Sequence, residues 1–360
     1  MFSFGKRDAA RPLGSGRFRT AASLASTIPN RLRSGKHRAC STLQGQPFPR
    51  YCYTKFLRDR VNTRYCRLPM LGACLIVGVS VGLAAQQSPP PTPPAELVRA
   101  TVKNEVAAAN SNAAKHMFCS RKKTPRGSQI HLYVETNDAM AGMLIATNGQ
   151  PLNAQQQQGE INHLNWLMGS PEQLRKKRAR EKEDAERTLR IVKALPDAFQ
   201  YEYAGTEDGT VDLGKAGTQL ARLKFTPNPS YSPPSHVEQV LMGMRGYLLI
   251  DTSALRIARI DGTLFRDVSF GWGIIGHLDK GGHFRVQQAD VGDGSWEVTQ
   301  MNLNMSGKIL LFKGISIVSD ETISDFRRVP ETLTFPQGVK LLEEERDKLA
   351  RNHEPAPSNP

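Results

Sequence analysis

Apolar and polar residues alternate with a period of two through most of the second half of the chain. Phe199, Tyr201 and Tyr203 give the first example, and the alternation returns at intervals up to residue 318. Such alternation predicts strands with one buried face. The turns between them, such as Asp261-Gly262, are too short for crossover helices, so neighbouring strands must be antiparallel. We predict strands at 199–203, 221–225, 246–251, 254–261, 264–272, 284–291, 296–305 and 309–318.

Helical periodicity appears earlier in the chain. Leu97, Val98 and Val102 recur at helical spacing and predict a helix over 96–114. A longer helical region over 154–195 is interrupted at Gly169, where the sequence predicts a new helix N-terminus. That N-terminus combines a capping side chain, a proline at the first helical position and an amide three residues after the cap, at Ser170, Pro171 and Gln173. Two strands between the helical regions are predicted at 129–135 and 142–147, the second closed by the turn Asn148-Gly149.

These elements predict an α+β fold, a curved antiparallel β-meander or unclosed half-barrel. We expect the N-terminal helix and the helical insertion over 154–195 to pack against it, in a single domain over 96–345. Apolar residues of two neighbouring strands would line the concave side of the sheet. A row of apolar residues on one face of a sheet usually packs in the core. A row that mixes Met and Trp also suits a cavity that faces a lipid. The predicted ligand-binding face consists of Leu264, Val268, Phe270, Trp272, Trp296, Val298, Met301, Leu303 and Met305.

An uncharged apolar run precedes this domain. The 16 residues 70–85 read MLGACLIVGVSVGLAA, and a Pro-rich polar linker follows over 86–95. The run is shorter than the roughly 20 residues of a spanning helix, but it fits a secretory signal, with Arg64 and Arg67 before it and small residues at its end. We therefore predict export to the periplasm or cell envelope through a signal peptide. An uncleaved signal anchor is the alternative, so membrane attachment would be peripheral or by a tether at most.

The first 69 residues are rich in Arg, Ser, Gly and Pro and show no apolar periodicity. We expect this leader to be disordered or mis-annotated, with true initiation nearer Val61 or Leu57. A mitochondrial-type transit peptide is the competing interpretation of an Arg-rich, acid-poor start. The last residues, 346–360, are expected to form a disordered tail.

The positive charge is concentrated in that leader. The formal net charge of +14 suggests nucleic-acid binding, but residues 1–69 contain 15 Lys or Arg against two acids. The remaining 291 residues hold 33 basic and 32 acidic side chains. The basic run at 175–184 is likewise offset by acids four residues away, as at Lys177 and Glu181, which favours a solvated helix face. We therefore predict that nucleic acid is not a partner.

The sequence contains few residues or motifs that indicate catalysis or metal binding. Four of the five cysteines lie in or before the apolar run, which leaves Cys119 as a lone structural thiol with no zinc-ligand spacing. No nucleophile elbow, phosphate-binding loop, dinucleotide fingerprint or H-E-x-x-H helix occurs. The densest polar cluster, His277, Asp279 and His283, could bind a metal, but its paired glycines favour turn chemistry. We predict neither a catalytic residue, nor a metal, nor a cofactor.

One stretch resembles a known superfamily. The order of strand, Asp, turn and apolar-and-basic strand in GYLLIDTSALRIARIDGTLFRDVSFGWG, over 246–273, is similar to the LolA/LolB/RseB-like lipoprotein-carrier superfamily. The segments FGWGIIGHLDKGGHF and LPDAFQYEYAG look closer still to bacterial envelope proteins of outer-membrane lipoprotein-sorting type. The resemblance implies an unclosed antiparallel barrel curled around helices, with an apolar hollow that accepts acyl chains. The insertion over 154–195 is longer than expected for the carriers, and none of their functional residues is carried over.

Together, the sequence favours an exported, non-enzymatic envelope protein that binds a lipid or a lipoprotein acyl chain in a concave sheet. The alternative is a protein–protein interaction or sensor module of the envelope with a packed core and no ligand. A concave face that is fully packed, with no open cavity, would favour this alternative.

Overall fold

The computed structural model describes residues 92–111, 114–270, 276–292, 294–309 and 313–353. The predicted leader, the apolar run at 70–85, most of the linker and Trp272 lie outside these residues. The described part contains five α-helices and one sheet of 13 strands.

The helices are α1 (Pro94–Asn110), α2 (Ala154–Met168), α3 (Pro171–Ala198), α4 (His236–Gln239) and α5 (Phe335–His353), and a 3-10 turn, Val240–Gly243, follows α4. The strands are β1 (Lys115–Thr124), β2 (Gly127–Val134), β3 (Ala141–Thr147), β4 (Gln150–Pro151), β5 (Phe199–Asp208), β6 (Gln219–Pro227), β7 (Met244–Asp251), β8 (Arg256–Leu264), β9 (Val268–Phe270), β10 (Gly276–Leu278), β11 (His283–Asp290), β12 (Trp296–Ile309) and β13 (Lys313–Val329).

The strands pair in the order β4-β3-β2-β1-β13-β12-β11-β8-β7-β6-β5, and β10 pairs with β12 and β9 beside this path. Every pairing between these strands is antiparallel, and the sheet does not close into a barrel. The α+β prediction with a curved, unclosed antiparallel sheet is therefore confirmed. The sequence did not indicate that β1 lies beside β13, with Lys115 opposite Val329.

Helices cover opposite faces at the two ends of the sheet. On the β5–β8 end, Val98 of α1 and Leu195 of α3 pack with Leu223 and Leu248 in the largest apolar cluster. On the β1–β3 end, α2 and α5 build a second cluster, in which Leu164 and Leu342 contact Met117, Leu132 and Met143. Because successive residues of a strand point to opposite faces, Phe118 belongs to the other side and to a third cluster, with Met140, Val298 and Ile323.

Local signals explain several element boundaries. Asn148 and Gly149 both have positive φ, 51° and 77°, as the predicted two-residue hairpin turn requires. Helix α2 begins with a capping box, in which the Asn153 side chain accepts from the Gln156 amide at 2.9 Å and the Gln156 side chain accepts from the Asn153 amide at 2.9 Å. The prediction of a capping side chain at Ser170 was wrong, because that hydroxyl makes no cap hydrogen bond and Pro171 alone marks the start of α3.

Three further differences between prediction and structure concern the length of two elements and the burial of one side chain. Helix α5 runs to His353, so residues 346–353 are helical where a disordered tail was expected. Strand β13 continues eleven residues beyond the predicted end at 318. Glu181, expected on a solvated helix face, is 5% exposed and accepts a hydrogen bond from the Met140 amide at 3.2 Å. Its pairing with Lys177 is present, at 3.0 Å.

Candidate ligand-binding site

The residues predicted to line one apolar hollow fall into separate groups. Leu264, Val268 and Met305 are buried in the cluster to which α1 and α3 contribute, with Phe270 and Leu303 packed against it. Val298 and Met301 belong to the third cluster with Phe118. Trp296 is 4% exposed, and the guanidinium carbon of Arg256 lies 5.3 Å from its ring. Core side chains, among them those of α1 and α3, thus occupy much of the face on which a ligand was expected.

A surface pocket of about 830 Å³ lies at the margin of that face. Its walls come from the loop and short helix around Pro233–His236, from the 3-10 turn at Met242, and from the β8–β9 connection at Arg266 and Asp267. Val268, one of the predicted site residues, also lines it. Val268 also belongs to the largest apolar cluster, so one wall of the pocket borders the core.

Close packing fixes the shape of this pocket. The backbone of Gly243 lies against Val268, where a Cβ would come within 2.2 Å of Val268 Cγ2. Only glycine therefore allows the 3-10 turn to approach β9 this closely. The turn is also held by Arg266, whose Nη2 donates to the Met242 carbonyl oxygen at 2.8 Å.

Six of the eleven residues that line the pocket are polar or charged, namely Ser235, His236, Gln239, Arg266, Asp267 and Ser269. Arg266 lies 5.5 Å from the Phe265 ring centroid, which adds a cation–π contact to its bond with the Met242 carbonyl. Asp267 Oδ1 accepts from the Lys280 amide at 2.7 Å, which ties the β8–β9 connection to the next turn. Pro233, Pro234, Met242 and Val268 supply apolar surface. A mixed polar and apolar pocket with one held guanidinium and one acid, Asp267, suits a small amphipathic ligand whose anionic end meets Arg266.

The predicted polar cluster does not assemble into one site. His277 Nε2 lies 3.2 Å from Asp279 Oδ1, whereas His283 Nε2 lies 3.0 Å from Asp261 Oδ1. Arg285 also binds Asp261, with Nε 2.6 Å from Oδ2. The two histidines therefore pair with different aspartates, in agreement with turn and cross-strand chemistry.

Comparison of the chain with protein-family models, with curated proteins and with solved structures finds no match in any of the three. The resemblance to the lipoprotein-carrier superfamily therefore stays a prediction. Within the described ranges, no helix combines the length and the apolar character needed to cross a membrane.

Sequence reasoning missed another group of side chains altogether. His116, Glu135 and Glu297 bring their ligand atoms within 4.8 Å of one another, and among the described residues they are the group that could hold a metal ion. The three residues are far apart in the sequence, and no spacing motif connects them. Only the pairing of β1 with β2 and the path of β12 bring them together.

Cys119 is buried in the second apolar cluster. Burial is the largest influence on its thiol and raises its pKa above the ordinary value. A buried thiol with a raised pKa is a poor nucleophile, which supports the structural interpretation of this cysteine.

Proposed function

We propose that this chain is an exported, non-enzymatic envelope protein that binds a hydrophobic ligand, an acyl chain with an anionic head group, in the pocket beside Arg266. The observation that carries the proposal is the pocket itself, about 830 Å³, with apolar surface from Pro233, Pro234, Met242 and Val268 and a guanidinium held in place. That volume lies within the range of about 300–1,000 Å³ common for ligand sites.

The pocket replaces the concave sheet as the proposed position of the ligand. Leu264 and Met305 are already buried in the cluster to which α1 and α3 contribute, so an acyl chain in the centre of the sheet would have to displace core side chains. At the pocket, the tail would lie against Met242 and Val268, and the head group would face Arg266. Each buried methylene contributes about 0.8 kcal/mol, so a short segment of chain already gives useful affinity.

Two substitutions test this site in the purified full chain. Arg266→Gln removes the cation, and we expect the affinity for a fluorescent fatty acid to fall about tenfold or more, because a charge-assisted hydrogen bond is lost. Ser269→Trp adds bulk at an exposed position of the pocket wall and is expected to block the probe. Displacement titrations and native mass spectrometry of the extracted protein measure both effects.

The chain provides a matched control. Arg245 is exposed and its guanidinium carbon lies 5.6 Å from the same Phe265 ring, but it does not line the pocket. Arg245→Gln should therefore leave probe affinity unchanged. A wild-type chain that carries no lipid and ignores acyl probes would contradict the proposal.

A second candidate function is an envelope interaction or sensor module without a ligand. It is favoured by the burial of Leu264, Val268 and Met305, each less than 9% exposed within the largest apolar cluster. Under this alternative, Ser269→Trp has no effect on function in the cell, while an envelope protein co-purifies with the lipid-free chain.

A further inference from the structure

Three side chains from three strands converge beside the third apolar cluster. His116 lies in β1, Glu135 directly follows β2, and Glu297 is the second residue of β12. The Glu135 amide donates to the His116 carbonyl oxygen at 3.0 Å, so the two residues lie opposite each other in the ladder. Opposed residues of an antiparallel pair point to the same face, which places this imidazole and carboxylate side by side.

Hydrogen bonding and distance fix the arrangement further. The His116 amide donates to Glu135 Oε2 at 2.9 Å, which orients that carboxylate next to the imidazole. His116 Nδ1 lies 3.3 Å from Glu297 Oε1. The ligand atoms of all three residues lie within 4.8 Å of one another.

The burial of the imidazole distinguishes this group from an ordinary surface ion pair. The side chains of His116 and Glu297 are 6% and 3% exposed. His116 Nδ1 is completely buried and makes no hydrogen bond within the part of the chain that the structure describes, although Glu297 Oε1 lies 3.3 Å away. Buried polar atoms in native proteins are nearly always satisfied, so this nitrogen requires an explanation.

Irregular backbone around the site explains how Glu297 reaches it. Strand β13 lies between β1 and β12, but its ladder with β12 begins only at Gln300 opposite Thr322. Beyond that point β13 stays with β1 and contains a bulge at Asp325, where φ is 61°. A second bulge interrupts the pairing of β12 with β11 opposite Gln287 and Gln288. Bulges redirect side chains and are common beside functional sites.

We propose that His116, Glu135 and Glu297 bind a divalent transition-metal ion, for which Zn²⁺ is the reference probe. One imidazole nitrogen and two carboxylates form a donor set that suits zinc and its neighbours, and two carboxylates neutralise the charge of the ion. Metal–ligand distances of about 2.0–2.2 Å require the more distant carboxylate to move by about 1 Å, within reach of a side-chain rotation. Three protein ligands leave a fourth position for water.

The bound ion would join β12 to the β1–β2 hairpin where the β12–β13 ladder has not yet begun. It would also give the buried Nδ1, which makes no hydrogen bond within the described residues, a bond to the metal. Since the metal binds the folded chain, it should raise the unfolding temperature in proportion to the logarithm of its concentration.

The test is metal uptake by the untagged full chain after chelator treatment and dialysis. We expect one Zn²⁺ per chain by elemental mass spectrometry, and a higher unfolding temperature on addition of ZnCl₂. Glu297→Gln keeps the size of the side chain but removes a charged ligand, and should weaken Zn²⁺ binding by at least about tenfold in isothermal titration. Glu135→Gln, at a half-buried position, is the second variant should Glu297→Gln fail to fold.

A matched control separates this site from adventitious histidine binding. His277 and Asp279 lie 3.2 Å apart, close to the His116–Glu297 distance, but no third ligand joins them within the described residues. Asp279→Asn should therefore leave stoichiometry and affinity unchanged. The proposal is overturned if Zn²⁺, Mn²⁺ and Co²⁺ all fail to bind stoichiometrically, or if binding survives both Glu135→Gln and Glu297→Gln.

Discussion

His131 stacks on Tyr133 in β2, with ring centroids 5.5 Å apart. Burial, assisted by the nearby charge of Lys122, lowers the pKa of His131 to about 4. The unfolded chain takes up this proton near the ordinary pKa of about 6.5, whereas the folded chain takes it up only near 4. The contribution of the neutral imidazole to stability is therefore fully present above pH 6.5 and is lost as the pH falls towards 4.

Replacing this histidine should flatten the pH dependence of stability. We expect His131→Gln to reduce the loss of unfolding free energy between pH 6.5 and 4 by up to about 3 kcal/mol, an upper bound because the ring is only half-buried. Urea unfolding at several pH values measures the slope. Gln129→Ala, an exposed and non-titrating change in the same strand, should keep the wild-type slope. An unchanged slope in His131→Gln would refute this assignment.

At the scale of elements, one buried ion pair ties helix α1 to strand β8. Arg256 Nε and Nη2 bind the two oxygens of Glu105 at 2.8 and 2.9 Å, and the Ile257 amide donates to the same carboxylate at 2.8 Å. Asn104 adds bonds to the carbonyl oxygens of Ala254 and Leu255. The helix is thereby fixed in position over the β7–β8 hairpin.

Removal of one partner from this pair should be costly. Glu105→Ala leaves a buried guanidinium uncompensated, and we expect a loss of about 3–5 kcal/mol in unfolding free energy. Denaturant unfolding measures this loss, with Glu96→Ala on the exposed first turn of the same helix as the control. The double change Glu105→Leu with Arg256→Met should recover most of the stability, because neither charge remains buried. A loss below about 1 kcal/mol in Glu105→Ala would show that the pair is not structurally important.

Local sequence patterns predicted some strands of the sheet and missed others. Strands β5, β6, β11 and β12 alternate apolar and polar residues, and the predicted strands there were confirmed. The predicted turn Asp261-Gly262 was wrong, because β8 continues through both residues to Leu264. Strand β1 was missed because its positions 116–120 are all buried, with Met117 and Phe118 in clusters on opposite faces. Its sequence KHMFCSRKKT has no period of two.

The candidate sites were harder to predict than the strands, because they depend on contacts between segments that are distant in the sequence. Apolar stripes identified Val268, which lines the pocket, but could not show that Leu264 and Met305 are buried in the chain's own core. His116, Glu135 and Glu297 come together only through the tertiary arrangement of three strands, and no local pattern marks them. Sequence patterns predicted which residues are buried. The residues that a buried side chain contacts depend on strand pairings between distant segments, which the patterns do not show.

At the scale of the whole molecule, the export hypothesis predicts where the mature chain begins. If the segment 70–85 is a cleaved signal, mass spectrometry of the protein from a bacterial host should find a mature N-terminus just after Ala84 or Ala85. A protein that retains this segment and fractionates with membranes would indicate the signal anchor instead. Native peptides upstream of residue 57 would contradict the expected later start.

The position of β1 beside β13 has a kinetic consequence. Partners such as Lys115 and Val329 are separated by about 200 residues, so this pairing carries one of the largest loop-closure costs in the chain. During synthesis β1 and β2 can form a hairpin early, but the free edge of β1 must wait until nearly the entire domain has left the ribosome. Completion of the sheet is therefore a late and slow step. A chain that crosses a membrane before β1 has paired with β13 would still be unfolded enough to pass.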